Sequence, residues 1–260
     1  MPLTSLLVDE IRSLRREASR SSDGDRAIRL ADKASKSSAC VLIEGEAGTG
    51  GDALARAIHE CSERRAKPFV RVHAGGRAGE VAVTLFGLDR GAGARLQGKF
   101  SEAQGGTLLI QGIEELPLDV QSTLLRTIQD GEIEPVGGRR SVRVDVRVIA
   151  TAHASLLERV RQGRFREDLY YRLHVLPITL APLRARRESI APYAKAFLAG
   201  FAAEEGKRIA GLRSDLVTLL ESYAWPGNVR QLESAVFRAV ALADGDILTP
   251  AEFPQIAARV

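Results

Sequence analysis

Four glycines in eight residues dominate the segment Gly45-Glu46-Ala47-Gly48-Thr49-Gly50-Gly51-Asp52. The apolar run Val41-Leu42-Ile43 precedes the segment, and a helical pattern follows from Asp52. Glycines between a buried strand and a helix allow successive backbone N–H groups and the helix N-terminus to cradle an anion. The spacing is that of a phosphate-binding loop (P-loop). The candidate residues for residual nucleotide binding are Gly45, Glu46, Ala47, Gly48, Thr49, Gly50, Gly51 and Asp52.

The same loop lacks its usual cation. A working P-loop has a lysine directly after the second anchor glycine, where the ammonium neutralises the β- and γ-phosphates. That position is Gly51, and the nearest lysines, Lys33, Lys36 and Lys67, lie outside the loop and its helix. The glycines therefore indicate descent from a phosphate-binding loop, and they leave present nucleotide binding open.

The surrounding pattern predicts an α/β fold. Short apolar strands alternate with helices in the first part of the chain, which is typical of a parallel sheet covered on both faces. We predict strands over 40–43, 68–72, 107–111 and 144–150. We predict helices over 1–22, 26–36 (after a breaker at 21–25), 52–64, 119–130, 188–205, 214–223 and 228–243. The predicted domains are an amphipathic helix over 1–25, a doubly wound core over 26–180 and a small helical domain over 181–260.

Composition excludes several classes of protein. Hydrophobic residues make up 45% and charged residues 27% of the 260 residues. This composition is close to the average for globular proteins and excludes an intrinsically disordered or fibrous protein. The net charge of +4 is weak evidence for a DNA partner. Two cysteines suggest reduced thiols. Because no apolar stretch is long enough to span a membrane and no signal peptide is visible, we predict a cytoplasmic protein with no membrane contact.

Four motifs occur in a set order: the glycine loop, Gly105-Gly106-Thr107-Leu108, the segment Phe165 to Leu173, and Trp225-Pro226-Gly227-Asn228-Val229-Arg230. On these motifs the chain resembles the AAA+ domain of bacterial enhancer-binding proteins, the sigma-54-dependent transcription activators, over about residues 26–254. The resemblance implies the AAA+ P-loop NTPase fold with a small C-terminal helical lid. It also implies a hexameric or heptameric ring that uses ATP hydrolysis to remodel sigma-54 RNA polymerase.

The chain departs from the family where the metal and the attacking water are held. The family has an Asp-Glu pair at the end of its central strand, and this chain has Gln111 and Gly112. A glutamine is no anionic Mg²⁺ ligand, and a glycine accepts no proton. Glu114 and Glu115 follow closely, but Glu115 matches a surface glutamate of the family and Glu114 lies beyond the predicted strand end.

Two further departures affect contact and signalling. The family loop that touches sigma-54 reads Gly-Ala-Phe-Thr-Gly-Ala, whereas this chain has Gly91-Ala92-Gly93-Ala94 without the Phe-Thr pair, and the segment that follows is shortened. Two family asparagines that relay the nucleotide state are His73 and His153 here. Ligand spacings typical of zinc are missing around the histidines, so we predict no metal site.

Three arginines keep the family pattern. Arg166 and Arg172 match the candidate arginine fingers, and Arg230 matches the lid arginine that senses nucleotide. Arginine suits such a task because its planar fork pairs bidentately with phosphate oxygens. The alternative is that these arginines form ion pairs with neighbouring carboxylates, with Glu167, Asp168 and Glu188 as candidates. Trp225-Pro226-Gly227 reads as a rigid turn that anchors the lid core.

These residues favour a pseudo-ATPase, a degenerate activator domain that regulates transcription through protein contacts. The expected partners are RNA polymerase or another AAA+ regulator subunit, in a homo- or hetero-oligomer. A more specific form of this hypothesis is that Arg166 and Arg172 contact the ATP bound by an active partner subunit. A nucleotide-binding switch or weak ATPase that holds ATP or ADP at the residual loop remains the alternative. We expect no DNA-binding domain within this sequence, and the sequence does not decide between a fragment and a stand-alone module.

Overall fold

The computed structural model describes residues 2–14, 23–91 and 95–258. The strands are β1 Val41–Gly45, β2 Phe69–His73, β3 Leu88–Asp89, β4 Arg95–Leu96, β5 Thr107–Gln111, β6 Glu132–Ile133, β7 Val142–Arg143, β8 Arg147–Ala152, β9 Leu176–Leu180, β10 Gly211–Leu212 and β11 Ile247–Leu248. The helices are α1 Pro2–Leu14, α2 Asp23–Ser35, α3 Gly51–Glu60, α4 Ala78–Phe86, α5 Lys99–Glu102, α6 Leu118–Asp130, α7 Leu156–Arg161, α8 Glu167–Leu173, α9 Ile190–Glu204, α10 Ser214–Ser222, α11 Asn228–Leu242 and α12 Pro254–Ala257.

The chain divides into two compact units. One comprises Arg29–Glu44 and Leu54–Thr179 and carries the main sheet, so we call it the sheet unit. The other comprises Met1–Ile28, Gly45–Ala53 and Leu180–Val260, and we call it the lid unit. The glycine loop thus packs with the C-terminal helices, although in sequence it follows a strand of the sheet.

A five-stranded sheet forms the centre of the sheet unit, with strand order β2-β5-β8-β1-β9. The pairs β2–β5, β5–β8 and β8–β1 are parallel. Parallel neighbours require crossover connections, and the helices between these strands supply them. The predicted parallel sheet is therefore confirmed.

Both faces of the sheet are covered, as a doubly wound fold requires. Alternate residues of the strands point to one face, where Leu108, Ile110, Val148 and Ala150 belong to a buried cluster shared with α4 to α8. On the other face, Nδ1 of His59 lies 2.9 Å from Oγ1 of Thr107. There the Nη2 of Arg147 also donates to the carbonyl oxygen of Ala34 at 2.6 Å.

The lid unit is built on α9 and α11, which pack against each other, with α1 and α10 against α9. Trp225 is fully buried, and its Nε1 donates to the carbonyl oxygen of Leu220 at 2.7 Å. The indole thus has the partner that a buried Trp N–H needs. This contact confirms the predicted core anchor.

Several element predictions need correction. The strand β9 was not predicted, and the lid unit holds the two-stranded pairing β10–β11 although strands were expected to cease there. Helix α3 ends at Glu60 instead of Arg64. Residues 1 and 15–22 of the predicted helix over 1–22 lie outside the described residues, as do residues 92–94 of the segment 91–94. No helix in the described ranges is both long and apolar enough to cross a membrane.

Candidate functional site

The glycine loop has a backbone that only glycine adopts easily. Gly48 and Gly50 have φ of 81° and 103°, in the region where L side chains are strained. A Cβ on Gly45 would approach the carbonyl oxygen of Leu180 to 2.9 Å, and a Cβ on Gly48 would collide with the carbonyl oxygen of Gly227. Thr49 closes the turn, since both its N–H and its hydroxyl donate to the carbonyl oxygen of Glu46.

The start of α11 holds the loop from the lid side. Asn228 is fully buried, and its Nδ2 donates to the carbonyl oxygen of Ala47 at 3.1 Å and to Oε2 of Glu46 at 3.3 Å. Its Oδ1 accepts the N–H of Leu183 at 2.8 Å. The N–H of Arg230 donates to the carbonyl oxygen of Gly48 at 3.1 Å. Two backbone carbonyls of the loop are thus bound by residues of the lid.

The guanidinium group of Arg184 binds Glu46, the second residue of the loop. Nη1 and Nη2 of Arg184 lie 2.7 and 2.5 Å from the two carboxylate oxygens of Glu46. This bidentate bond, followed by the Asn228 amide, lowers the pKa of Glu46 to about 2. Both side chains are nearly half exposed, so water and salt screen the pair.

A second arginine lies beneath the loop. Arg186 is 8% exposed, its Nη2 donates to the carbonyl oxygen of Thr49 at 2.7 Å, and its Nη1 donates to the hydroxyl of Tyr193 at 3.0 Å. Its buried Nε has no hydrogen-bond partner in the described part of the chain. The position after Gly50 is Gly51, the first residue of α3, so no side chain there offers a charge to a phosphate.

The carboxyl end of β5 carries Gln111 and Gly112, the two positions at which the sequence resemblance places the Asp-Glu pair of the family. Gln111 is half-buried, and Gly112 is left-handed with φ 65°. A Cβ on Gly112 would lie 3.5 Å from Nε2 of His73 and 3.7 Å from Oε1 of Glu115. The imidazole and the carboxylate therefore border the space into which a side chain at position 112 would extend.

The ring of His73 contacts one backbone N–H group and lies near one carboxylate at the end of β5. Its Nδ1 accepts the N–H of Gly75 at 3.1 Å and lies 4.0 Å from Oε2 of Glu115. An accepting Nδ1 places the proton of the neutral ring on Nε2. The structure thus brings His73 and Gly112, singled out from the sequence, together with Glu115.

The other sensor position, His153, contacts a different carboxylate. Its backbone N–H donates to Oε1 of Glu114 at 2.8 Å. Glu114 is 8% exposed, and its Oε2 is buried without a hydrogen-bond partner in the described residues. Glu44 makes a similar bond one turn further on, since its Oε1 accepts the N–H of Leu156 at 3.0 Å. Both carboxylates bind the turn between β8 and α7.

The two finger candidates lie near α6 in the sheet unit, and each has a partner there. Nη2 of Arg166 lies 2.7 Å from Oδ2 of Asp168, and this pair lowers the pKa of Asp168. Nη2 of Arg172 donates to the carbonyl oxygen of Ile128 at 3.2 Å. Arg166 therefore forms an ion pair with a neighbouring carboxylate, which was the alternative to a role as an arginine finger. Both arginines are exposed.

The glycine loop and the carboxyl end of β5 offer groups that suit different ligands. The loop offers backbone cradle geometry and nearby arginines, which suit an anion. The end of β5 offers an amide and a glycine, which do not make the carboxylate pair that Mg²⁺ takes in nucleotide sites. Among the described residues no group of three or more His, Cys, Asp or Glu side chains is placed to hold a metal ion.

Sequence reasoning missed Arg184, Arg186 and the side-chain role of Asn228. The run Arg184-Ala185-Arg186-Arg187 was a visible signal, because four residues with three cations stand shortly after β9, the last strand of the five-stranded sheet. Their acceptors are a carboxylate and a backbone carbonyl about 140 positions earlier, a pairing that no local pattern encodes. Only packing within the lid unit reveals it.

Comparison with known proteins gives the same family over most of the chain. The sigma-54 interaction domain matches residues 18–179, and the AAA+ ATPase lid domain matches residues 184–259. The transcriptional regulatory protein ZraR of Klebsiella oxytoca is 45% identical over 223 residues, covering 84% of this chain and 50% of that protein. The DNA-binding transcriptional regulator NtrC of Salmonella typhimurium is 43% identical over 232 residues, covering 87% and 50%.

A solved structure agrees in fold. NtrX from Brucella abortus in complex with ATP superimposes with a TM-score of 0.84 at 31% identity, covering 93% of this chain and 55% of that one. The chain accordingly has the AAA+ P-loop NTPase fold. It spans about half the length of the curated relatives that it matches.

Proposed function

We propose that this chain, which belongs to the sigma-54 interaction domain family, is a non-hydrolysing regulatory module that acts in transcription through protein–protein contacts. Its partner is RNA polymerase or another AAA+ regulator subunit, in a homo- or hetero-oligomer. Its place of action is the cytoplasm, where bacterial transcription occurs. The similarity to ZraR and NtrC, both named as transcriptional regulators, supports the regulatory part.

The observation that carries the absence of hydrolysis is the corner at Gly112. The backbone there is left-handed, and His73 and Glu115 border the space of the missing side chain. A glutamate at this position would have to adopt the strained left-handed conformation, with its Cβ in ordinary contact with His73 and Glu115. The exposed Glu115 carboxylate lies in the short helical turn that Gly112 begins, where the N–H of Glu115 donates to the carbonyl oxygen of Gly112 at 2.9 Å, and we assign it no role in activating water.

The losses at Gly51 and Gln111 act on the same reaction. A charge-assisted contact to phosphate is worth about 1.5–3 kcal/mol, so the missing lysine alone lowers nucleotide affinity by one to two decades. Phosphoryl transfer depends almost entirely on positioning and electrostatic stabilisation. Three missing groups therefore leave no useful turnover.

A nucleotide-binding switch is the second candidate. The loop keeps its cradle glycines, Arg230 stands at the start of α11, and the similar NtrX structure is a complex with ATP. Backbone N–H groups bind phosphate without a lysine, but more weakly. In this reading ATP or ADP binds without hydrolysis and changes the oligomeric state.

Calorimetry with ATP and ADP, in Mg²⁺ and up to millimolar nucleotide, tests both candidates. We expect no heat of binding from the native chain and measurable binding by Gly51→Lys. The substitution suits the first position of α3, where the helical backbone accepts a side chain. Binding by the native chain together with a nucleotide-dependent elution volume would instead favour the switch.

Phosphate release by the purified chain tests hydrolysis itself. We expect no steady release above a blank preparation. The matched control is Arg230→Ala, which removes the lid arginine of the site and leaves a contaminating ATPase untouched. Steady release by the native chain that Arg230→Ala abolishes contradicts the proposed function.

A further inference from the structure

Two short hairpins of the sheet unit are joined by their backbones. The hairpin β3–β4 brings Leu88 opposite Leu96, and Leu88 also forms a parallel bridge with Val136, in the connection between β6 and β7. The N–H of Val136 donates to the carbonyl oxygen of Gly87 at 2.9 Å, and the N–H of Asp89 donates to that of Val136 at 3.0 Å. The two hairpins are therefore held together before any partner binds.

An apolar row crosses these hairpins. Residues directly opposite each other in a pairing place their side chains on the same face, so Leu96, Leu88 and Val136 form one row. Leu96 is 59% exposed, Val136 is 36% exposed, and Leu88 is half-buried. A single exposed aliphatic side chain is ordinary, whereas three neighbours in a row offer a partner a continuous apolar strip.

Four exposed arginines belong to the same two hairpins, namely Arg90, Arg139, Arg140 and Arg143. The Cγ of Arg90 would lie 3.9 Å from a Cβ on Gly137, so Arg90 is next to the turn that contains Val136. Arg139 and Arg140 follow this turn, which closes when the N–H of Gly138 donates to the carbonyl oxygen of Pro135 at 2.9 Å. Positive charge therefore stands beside the Val136 end of the apolar row.

These arginines have little counter-charge of their own. Within residues 2–14, 23–91 and 95–258, the side chains of Arg139 and Arg140 make no ion pair and no hydrogen bond. Arg143 is paired only loosely, with its Nε 3.4 Å from Oε1 of Glu132 and its side chain 92% exposed. The guanidinium groups are thus open to carboxylates of another molecule.

We propose that this surface binds an acidic segment of a partner protein that also carries apolar side chains. We call it the hairpin surface and define it by Leu88, Leu96, Val136, Arg90, Arg139, Arg140 and Arg143. Carboxylates of the segment pair with the arginines, and its apolar side chains cover the row. Arginine beside apolar groups is typical of protein–protein interfaces, and the bonded hairpins lose little freedom on binding. The inference rests on the proposed function, because it names the surface and the partner chemistry of a module that works by contact.

A nucleic acid fits the hairpin surface less well. Its phosphates would meet the arginines, but they would also meet the carboxylates of Asp89, Glu132 and Glu134 in the same hairpins. The aliphatic row offers no hydrogen-bond donor to a phosphate and no aromatic ring on which a base could stack. An acidic protein segment with apolar side chains uses both the charged and the apolar part.

Fluorescence anisotropy with two labelled synthetic peptides tests the hairpin surface on the native chain without nucleotide. One peptide repeats Glu-Glu-Leu and the other repeats Glu-Glu-Ser, at equal length and charge. We expect the leucine peptide to bind about tenfold more tightly, because only its side chains bury the apolar row. Arg139→Ala combined with Arg140→Ala should weaken its binding about tenfold, and Leu96→Ser should remove the preference for leucine.

The matched control is Arg65→Ala combined with Arg71→Ala, which removes the same net charge from exposed positions in other elements of the sheet unit. Equal loss of affinity in the two double variants would reduce the effect to net charge and overturn the proposal. No binding of the leucine peptide, equal binding of the two peptides, or tighter binding of a double-stranded oligonucleotide of equal charge would also overturn it. All the substituted side chains are exposed, so the melting temperatures of the variants should match that of the native chain.

The hairpin surface and the proposed function can fail separately. Phosphate release by the native chain would refute the proposed function, and the peptide affinities would still decide on the hairpin surface. Absence of peptide binding in a chain that releases no phosphate would refute the hairpin surface alone.

Discussion

Single residues set the geometry of the candidate site. Gly112 offers no carboxylate and lets the chain turn with a left-handed backbone immediately after β5. His73 and Glu115 then border the space that a larger residue would need. The left-handed backbone therefore favours glycine at position 112, and any other L residue there is strained.

The strain at Gly112 has a measurable consequence. Gly112→Ala should lower the free energy of unfolding by about 1 kcal/mol, because an L side chain in the left-handed region is penalised by roughly that amount. Gly79→Ala is the control, since Gly79 lies in the first turn of α4 with open space around it and should gain up to about 0.5 kcal/mol. Urea denaturation measures both. Equal changes in unfolding free energy for Gly112→Ala and Gly79→Ala would show that a side chain at position 112 causes no strain.

The Glu46–Arg184 pair predicts a pH dependence. The folded pKa of Glu46 is about 2, against an ordinary value of 4.5, so the pair stabilises the folded state above pH 4.5. That contribution is lost as the pH falls from 4.5 to 2. The difference in melting temperature between the native chain and Glu46→Gln should therefore shrink across this window, and added salt should reduce it at pH 7. Arg184→Ala should abolish the pH-dependent difference, and a difference that persists at pH 2 contradicts the assignment.

At the scale of elements, the beginning of α11 connects the lid to the loop. The helix starts at Asn228 with φ 52°, a conformation that asparagine tolerates better than most residues. From that position its amide reaches both Leu183 and Ala47. One buried side chain therefore satisfies backbone groups of two segments far apart in sequence.

Asn228→Ala should cost about 2–4 kcal/mol of unfolding free energy. The variant leaves buried backbone groups without partners, at about 1–3 kcal/mol, and places alanine in a left-handed conformation at about 1 kcal/mol. Asn228→Gly separates the two causes because glycine carries no left-handed penalty. Thermal or urea unfolding gives the values. If Asn228→Gly is as stable as the native chain, the amide contacts do not hold the loop.

At the scale of the whole molecule, the candidate residues of the nucleotide site are divided between the two units. The loop and Arg230 belong to the lid unit, whereas Gln111, Gly112 and the finger candidates belong to the sheet unit. Groups that act on one reaction are strongly non-additive. Repair of either unit alone should therefore leave the chain without turnover.

The corresponding experiment combines substitutions. Gly51→Lys should gain ATP binding without hydrolysis, and Gln111→Asp with Gly112→Glu should gain neither. The triple variant should hydrolyse ATP detectably. Phosphate release and calorimetry on the three variants provide the comparison. Hydrolysis by Gly51→Lys alone would contradict the division.

Much of the fold was predictable because its signals are local. The strand over 107–111 was predicted at its observed limits, and the helices over 214–223 and 228–243 were each one residue too long. Apolar periodicity reports burial of one face, and glycine spacing reports a backbone conformation, so both can be read along the chain. The short β9 was missed because its alternation, interrupted by a proline, resembles a loop.

The sequence by itself determined the α/β class, the glycine loop and the identities Gly51, Gln111 and Gly112, since each depends only on residue type and spacing. The tertiary structure alone decided that the loop packs with the lid and that Arg184, Arg186 and Asn228 bind it. These contacts join residues separated by 137 to 182 positions, and their existence depends on how whole elements pack. Local patterns carry no record of such pairings, because the free energy that selects them is shared over the packed unit.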